Sequence, residues 1–415
     1  MAEKAIYIEG NKIRINKRQL KIRIAAIALI IMLVYAAGEA AVRILEPQEL
    51  YNRHNPEHPA YPKEVEYDKD LGWATKKGYK AEPYTMQGKH PVVTITHNSQ
   101  GLRMDHEADQ SKNIVAFTGD SLTYGFWVDD KKIVSARLNE MLGRQYEVIN
   151  LGVGGYGTDQ SFLRLLRDGV KYNPKIVVHG FFTNDFSNIV SNYQYDVYKP
   201  LFQASEGKLT LTNVPVPVSK NMEKSYPKIK EHTYKGFQRL MRSWSQLYVL
   251  YKNKIGTLKS KLFSKPAEKI DYFTAYKDGE MWSIEKEYTD VMQYSFQLNS
   301  MILVAYNDFA KKNNMTFVLV LVADRISVDR EMQKATIERY NNVDENFFDF
   351  GKPYKLLEDF AKKQGINVVN LYPLFKEEFE KGNSMYLEGD HHLNDYGHEL
   401  YAREVHKLLA EEGLV

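Results

Sequence analysis

Five short apolar runs, at 113–118, 146–151, 175–182, 315–323 and 366–371, are each bounded by turn-forming residues. Segments with helical spacing lie between and after them, at about 131–142, 158–171, 286–312, 354–364 and 395–412. Apolar runs of this length suit strands buried on both faces, and helices alternating with such strands join parallel neighbours by crossovers. The pattern predicts an α/β chain with three layers, a parallel sheet carrying helices on both faces, and ligands outside the carboxyl ends of its strands.

The first run ends in a turn with chemical potential. Asn113 to Phe117 is β-branched and aromatic, and Gly119-Asp120-Ser121 then breaks it with residues that favour turns. A serine at a strand-to-turn junction has its hydroxyl at the mouth of a parallel sheet, with its own N–H able to point at whatever binds there. Gly-Asp-Ser also makes ordinary turns, so the tripeptide alone decides nothing. Three later stretches follow it in order: the glycine-rich Asn150–Thr158, then Thr183-Asn184-Asp185, then Asp390-His391-His392-Leu393-Asn394 with Gly397-His398.

These four blocks resemble those of the GDSL esterase/lipase superfamily, also called SGNH hydrolases. Gly119-Asp120-Ser121-Leu122 is similar to its serine block, and the other three to its glycine, asparagine and acid–base blocks. The resemblance covers residues 113–195 and 315–412 and says little about the residues between. It implies a flavodoxin-like α/β/α domain and serine ester chemistry.

Each block has a job that elementary chemistry can state. A serine hydroxyl is a poor nucleophile until a base within hydrogen-bond reach takes its proton, and that base needs a partner to fix its tautomer. His392 is the expected base and Asp390 its orienter. The tetrahedral oxyanion needs donors already aimed at it, and the Ser121 N–H, the Gly155 N–H and the Asn184 side-chain amide are the expected three. Glycine at 155 lets backbone approach the reacting carbonyl, and Gly154 is the competing register.

One departure bears on the reaction. The family commonly spaces its acid and base as Asp-x-x-His, whereas this chain has Asp-x-His, with Gly389 three residues before His392. The shorter spacing resembles the branch that includes bacterial exopolysaccharide O-acetyltransferases, which sets acyl transfer beside hydrolysis. Glu388 with His391 restores the longer spacing and is the alternative pair.

The rest of the chain narrows the setting. There is no cysteine among the 415 residues, which excludes disulfides, thiol catalysis and cysteine-ligated zinc. A net charge of +3 gives no argument for nucleic acid. No metal spacing or nucleotide loop stands out, so no cofactor or metal is expected. Seven Lys or Arg and two Glu lie in residues 1–23, before a largely apolar stretch at 24–45. The uncharged part, Ile24 to Gly38, spans only about 22 Å as a helix, short of the roughly 30 Å hydrocarbon core. Extension to Leu45 supplies the length, with Glu39 and Arg43 one turn apart and able to pair. The expectation is a single-pass anchor in the bacterial inner membrane, with its basic N-terminus in the cytoplasm and the catalytic domain periplasmic or extracellular. A signal peptide cleaved near Ala36-Ala37-Gly38 and a buried soluble helix fit the same pattern.

Residues 46–112 read as a small β-rich lead-in, in which Arg103 either reaches the active-site rim or, more plainly, ties a loop down. From 113 to 412 runs the catalytic domain, interrupted at about 186–285. In that insert, Lys208–Thr212 after Glu206-Gly207 reads as a hairpin arm. Residues 220–269 carry thirteen Lys or Arg against three Glu, and Phe237, Leu240, Met241, Trp244, Leu247, Tyr248 and Tyr251 recur at helical spacing. Such a segment either lies on anionic lipid headgroups or covers the catalytic core with its apolar face. His179 sits in an apolar run and reads as a core histidine.

The expected protein is a membrane-anchored serine esterase that removes small acyl groups from a glycan or lipid through an acyl-serine. An O-acyltransferase modifying a cell-surface or exported polysaccharide, fed by an integral-membrane acyl-transfer partner, is the alternative. An inactive glycan-binding or assembly subunit is the third reading.

Overall fold

The computed structural model describes residues 6–8, 11–13, 17–45, 64–81, 93–195, 197–218, 241, 245–248, 250–252, 254, 281–340 and 343–415. They fall into two compact units, one within Met1–His58 and Ile229–Lys265, the other within Pro59–Lys228 and Pro266–Val415.

The first unit is built on α1 (Lys17–Leu45), which starts seven residues before the apolar stretch does. An 18-residue window within Arg18–Leu45 has a mean hydropathy of 2.2 and no buried residue, so the helix is long and apolar enough to cross a membrane. Glu39 makes the expected pair with Arg43, Nε to Oε1 at 2.8 Å. It also takes N–H donors from Gln246 at 2.9 Å and Leu247 at 3.0 Å, and the Ser245 hydroxyl at 2.8 Å. Of the anticipated amphipathic helix, residues 246–248, 250–252 and 254 are helical, whereas Phe237, Leu240 and Trp244 lie outside the described residues.

The second unit holds five parallel strands, β1 (Asn113–Gly119), β2 (Tyr146–Asn150), β3 (Ile176–Phe181), β4 (Thr316–Leu321) and β5 (Asn367–Asn370). Their order across the sheet is 5-4-3-1-2, the flavodoxin-like arrangement, and it reverses between β1 and β3. Strands β1, β3 and β4 are flanked on both sides, and their apolar residues are almost wholly buried, as in Ala116, Phe117, Val177, Val178 and Val318 to Leu321. Each of the Val, Leu and Phe side chains among them contributes about 1.5–3 kcal/mol when removed from water. The edge strand β5 keeps Asn367 and Asn370 half-exposed.

Helices α2 (Ser121–Tyr124), α3 (Val134–Leu142), α4 (Thr158–Arg164), α5 (Asp290–Lys312), α6 (Lys352–Lys363), α7 (Tyr372–Glu380) and α8 (Asp395–Glu411) cover the sheet. The segment expected as one helix over 158–171 is α4 followed by a π turn, Leu165–Gly169, and a 3₁₀ turn, Val170–Tyr172, ended by Asn173 at φ +50°. Helix α5 starts later than its apolar spacing suggested, because Thr289 caps it by accepting the Met292 N–H.

The lead-in is less strand-rich than expected among its described residues. It has one hairpin, Val65–Asp68 with Gly72–Thr75, and isolated bridges such as His97 with Arg103. It braces the glycine-rich loop: the Trp73 indole donates to the Gly154 carbonyl at 3.0 Å, and the Tyr156 hydroxyl donates to the Trp73 carbonyl. Arg103 is a loop tie. It is 1% exposed, ion-paired with Asp130, and donates to the Val128 carbonyl at 3.0 Å. In the insert, Leu201–Ser205 and Lys208–Thr212 form the expected hairpin, with Glu206 at φ +49° and Gly207 at φ +74° in the turn.

Candidate active site

Three loops leaving the carboxyl ends of β1, β2 and β3, and a fourth leading into α8, meet at the point where the strand order reverses. Ser121 is the first residue of α2, and Asp120 caps that turn by accepting the Leu122 N–H at 2.9 Å. The first N–H groups of a helix have no intrahelical acceptor, so the Ser121 N–H is available to a bound group.

His392 lies beside that serine. Its Nε2 is 2.9 Å from Ser121 Oγ, and its Nδ1 is 2.7 Å from Asp390 Oδ1. Asp390 Oδ1 also accepts the His392 backbone N–H at 2.9 Å, which is how a two-residue spacing puts carboxylate and imidazole in line. Burial pushes the Asp390 carboxyl up, but the hydrogen bonds from His392 and the nearby imidazole charge outweigh it and hold Asp390 below the usual carboxylate range. The Phe126 ring packs 5.5 Å from the His392 ring, which limits its rotation. The alternative pair is placed differently: Glu388 is exposed, and His391 is exposed with its ring 4.6 Å from that of His392 and 5.8 Å from Phe182.

The glycine block is held tightly to the serine turn. The Asn150 side chain donates to the Thr123 carbonyl at 2.9 Å and to Ser135 Oγ at 3.0 Å, while its Oδ1 accepts the Gly152 N–H at 2.8 Å. Gly155 is buried and sits at φ +76°, a conformation that disfavours any side chain. Gly154 turns its carbonyl to Trp73, and a Cβ there would stand 2.3 Å from the Phe126 ring.

Asn184, after β3, is half-buried and donates its side-chain N–H to Asp120 Oδ2 at 3.0 Å. Thr183 beside it donates to Asp324 Oδ2 at 3.1 Å, which ties this loop to the one after β4. Burial raises the Asp120 carboxyl, against the Leu122 N–H and the Asn184 amide. Asp185 is raised well above its ordinary value by burial and by the charge of Asp120. Lys199, wholly buried, brings a cation to this region: its Nζ lies 2.5 Å from Asp159 Oδ2 and donates to the Asn188 carbonyl at 3.0 Å.

Two further histidines, His179 and His398, are structural. His179 is fully buried, stacks 5.2 Å from Tyr306, and is lowered to about 3 by burial. His398, also buried, accepts the Val134 N–H at 3.2 Å and so fixes the start of α3.

A serine, an imidazole and a carboxylate in a hydrogen-bonded relay, at the switch point of a parallel α/β sheet, define the class of hydrolases and acyltransferases that work through a serine. Two family models divide the chain between them: the GDSL-like Lipase/Acylhydrolase family matches residues 117–249, and the SGNH hydrolase-like domain of acetyltransferase AlgX matches residues 282–414. The chain belongs to the GDSL/SGNH hydrolase family, with an AlgX-like SGNH domain in its C-terminal part. Among solved structures it is similar to TesA, at 11% identity and a TM-score of 0.37 over 72% of this chain and 98% of that one. The acetyl xylan esterase AlAXEase gives 14% identity and a TM-score of 0.35 over 70% of this chain and 97% of that one. An acetylxylan esterase from Geobacillus stearothermophilus gives 11% and 0.36 over 72% and 94%. No curated protein sequence matches the chain.

Proposed function

We propose that the protein is a membrane-anchored serine enzyme that takes a small acyl group, such as acetyl, from an ester onto Ser121 and passes it to water. The relay of Ser121, His392 and Asp390 carries this reading, at 2.9 Å and 2.7 Å between successive atoms. His392 Nε2 takes the hydroxyl proton as Ser121 Oγ attacks the ester carbon. Asp390 steadies the imidazolium, and His392 then protonates the departing alkoxide. Ser121 N–H, Gly155 N–H and the second N–H of the Asn184 amide receive the oxyanion; removing one such donor typically costs about 100- to 1,000-fold in rate. Gly155 is preferred to Gly154 as the backbone donor in this reading.

The second reading is transfer of the acyl group to a sugar hydroxyl of an exported or cell-surface polysaccharide. The AlgX-like match over 282–414, which contains Asp390 and His392, favours it. The acyl donor would then be a carrier or an integral-membrane partner. In either reading α1 anchors the catalytic domain on the outer side of the bacterial inner membrane, with the basic N-terminus in the cytoplasm, as the charge asymmetry supports.

The test is release of acetate from p-nitrophenyl acetate by the full chain in detergent, with and without oligosaccharide acceptors, alongside Ser121→Ala. Serine-dependent release unaffected by sugars supports the esterase, and acetate appearing on a sugar supports the transferase. Folded protein that gives neither contradicts both readings.

A further inference from the structure

Glu39 and Ser245 stand 206 positions apart in the chain, yet they meet on α1. The Glu39 carboxylate accepts the Ser245 hydroxyl and the N–H groups of Gln246 and Leu247, where the helical residues 246–248 begin. The first N–H groups of a helix lack intrahelical acceptors, so this carboxylate caps one helix from another. Two further contacts fix the junction. The Tyr35 hydroxyl donates to Ser245 Oγ, and α1 leaves only a glycine at 38, where a Cβ would stand 3.0 Å from the Leu247 side chain. Ser245 itself is fully buried.

The height of this junction on α1 follows from charge. Ile24 to Gly38 carries none, and Glu39 is the first charged residue beyond that run, at the end away from the basic N-terminus. In a helix that crosses a bilayer, such a position lies at the edge of the hydrocarbon. The residues that follow Ser245 therefore start at headgroup depth, and their chemistry suits it. Tyr251 is 56% exposed, Lys254 is exposed, and the Lys252 ammonium lies 5.7 Å over the Tyr248 ring. Rings with a polar tip and cations on long apolar stems settle where hydrocarbon gives way to headgroups. The whole of Ile229–Lys265 carries nine Lys or Arg against one acid, Glu231. It groups with α1 and not with the strands around the relay, which favours the lipid surface over the catalytic core as its partner.

We propose that Tyr251, Lys252 and Lys254 dock on anionic phospholipid headgroups at the bilayer face where α1 emerges, with Glu39 holding the start of their helix at that depth. Each cation near an anionic bilayer surface contributes about 1 kcal/mol. The chain passes from one unit to the other after residues 58, 228 and 265. A second foothold on the lipid therefore ties the relay's unit to the membrane through three chain connections instead of one. The surface rests on the proposed reading for the anchor alone, since lipid binding needs no turnover.

The full chain has no cysteine, so Tyr251→Cys gives one attachment point for a nitrobenzoxadiazole label, whose ring stands in for that of the tyrosine. The labelled chain is reconstituted in vesicles of phosphatidylcholine alone and of phosphatidylcholine with phosphatidylglycerol in equal parts, each carrying a headgroup spin-labelled lipid as quencher. Quenching is expected to be at least twofold stronger in the phosphatidylglycerol vesicles and to fall with added salt, which screens exposed charges. Lys252→Glu with Lys254→Glu in the labelled chain should bring it down to the phosphatidylcholine value, with p-nitrophenyl acetate turnover within twofold of the chain without those two changes. Equal quenching in both vesicles, or a charge-reversed chain that keeps the full difference, overturns the surface. A carbonate wash reads the anchor separately. Protein stripped from the vesicles falls on the anchor and takes this surface with it, whereas protein retained with its label unquenched falls on the surface alone.

Discussion

The side-chain amide of Asn184 lies 3.0 Å from Asp120 Oδ2, so the residue just before the serine holds the group that faces it across the strand ends. The same carboxylate caps the serine turn through the Leu122 N–H at 2.9 Å. Asp120 thus sets the positions of two groups at once. Asp120→Ala should lower kcat for p-nitrophenyl acetate by about 10- to 100-fold, with KM changed far less, because donors aimed at an oxyanion act mainly in the transition state. A fall expressed wholly in KM, or a kcat equal to wild type, would remove Asp120 from this role.

Lys199 and Asp159 are each fully buried and lie 2.5 Å apart. Breaking a buried pair by deleting one partner leaves an uncompensated charge, at a cost of about 3–5 kcal/mol. Lys199→Met should therefore lower stability by that amount in denaturant melts. Adding Asp159→Asn should restore part of the loss, since the orphaned charge goes with it. A single variant as stable as wild type would show that the pair contributes nothing.

Glu64 is 8% exposed, and burial pushes its carboxyl up from 4.5 to about 7, against the charge of Arg103 and the Tyr124 hydroxyl. The folded state therefore holds this proton after the unfolded chain has released it. Stability contributed by the protonated acid is fully present below pH 4.5, falls as pH rises from 4.5 towards 7, and is gone above that window. The span corresponds to about 3 kcal/mol. Glu64→Gln keeps a neutral group there at every pH, so its stability relative to wild type should grow between pH 5 and pH 8. A difference that is flat with pH would contradict the shift.

Much of this arrangement was legible in the sequence because it is local. The runs that became β1 to β4 are apolar on both faces, and the turn chemistry of Glu206-Gly207 marked its hairpin. Ser121, Asn184 and His392 stood at strand ends or before a helix, where a parallel sheet gathers its ligands. What escaped was set by partners far away in the chain. Nothing around Lys199 announces that it will meet Asp159, and nothing around Asn150 announces that it will bridge Thr123, Ser135 and Gly152. Arg103 could be read two ways until Asp130 came to it. Helix α7 did carry a signal, Pro373 in its first turn followed by apolar residues at helical spacing, but it follows β5 with no intervening loop and was hidden by that strand. The extra turn Arg325–Val328 is too short to show periodicity at all.

Covalent labelling of the full chain by a fluorophosphonate, with the modified peptide located by mass spectrometry, tests whether Ser121 is the nucleophile. A single label on Ser121 is expected, with none in Ser121→Ala, strongly slowed labelling in His392→Ala and near-normal labelling in His391→Ala. Label persisting in Ser121→Ala, or His391→Ala losing as much as His392→Ala, would contradict this assignment.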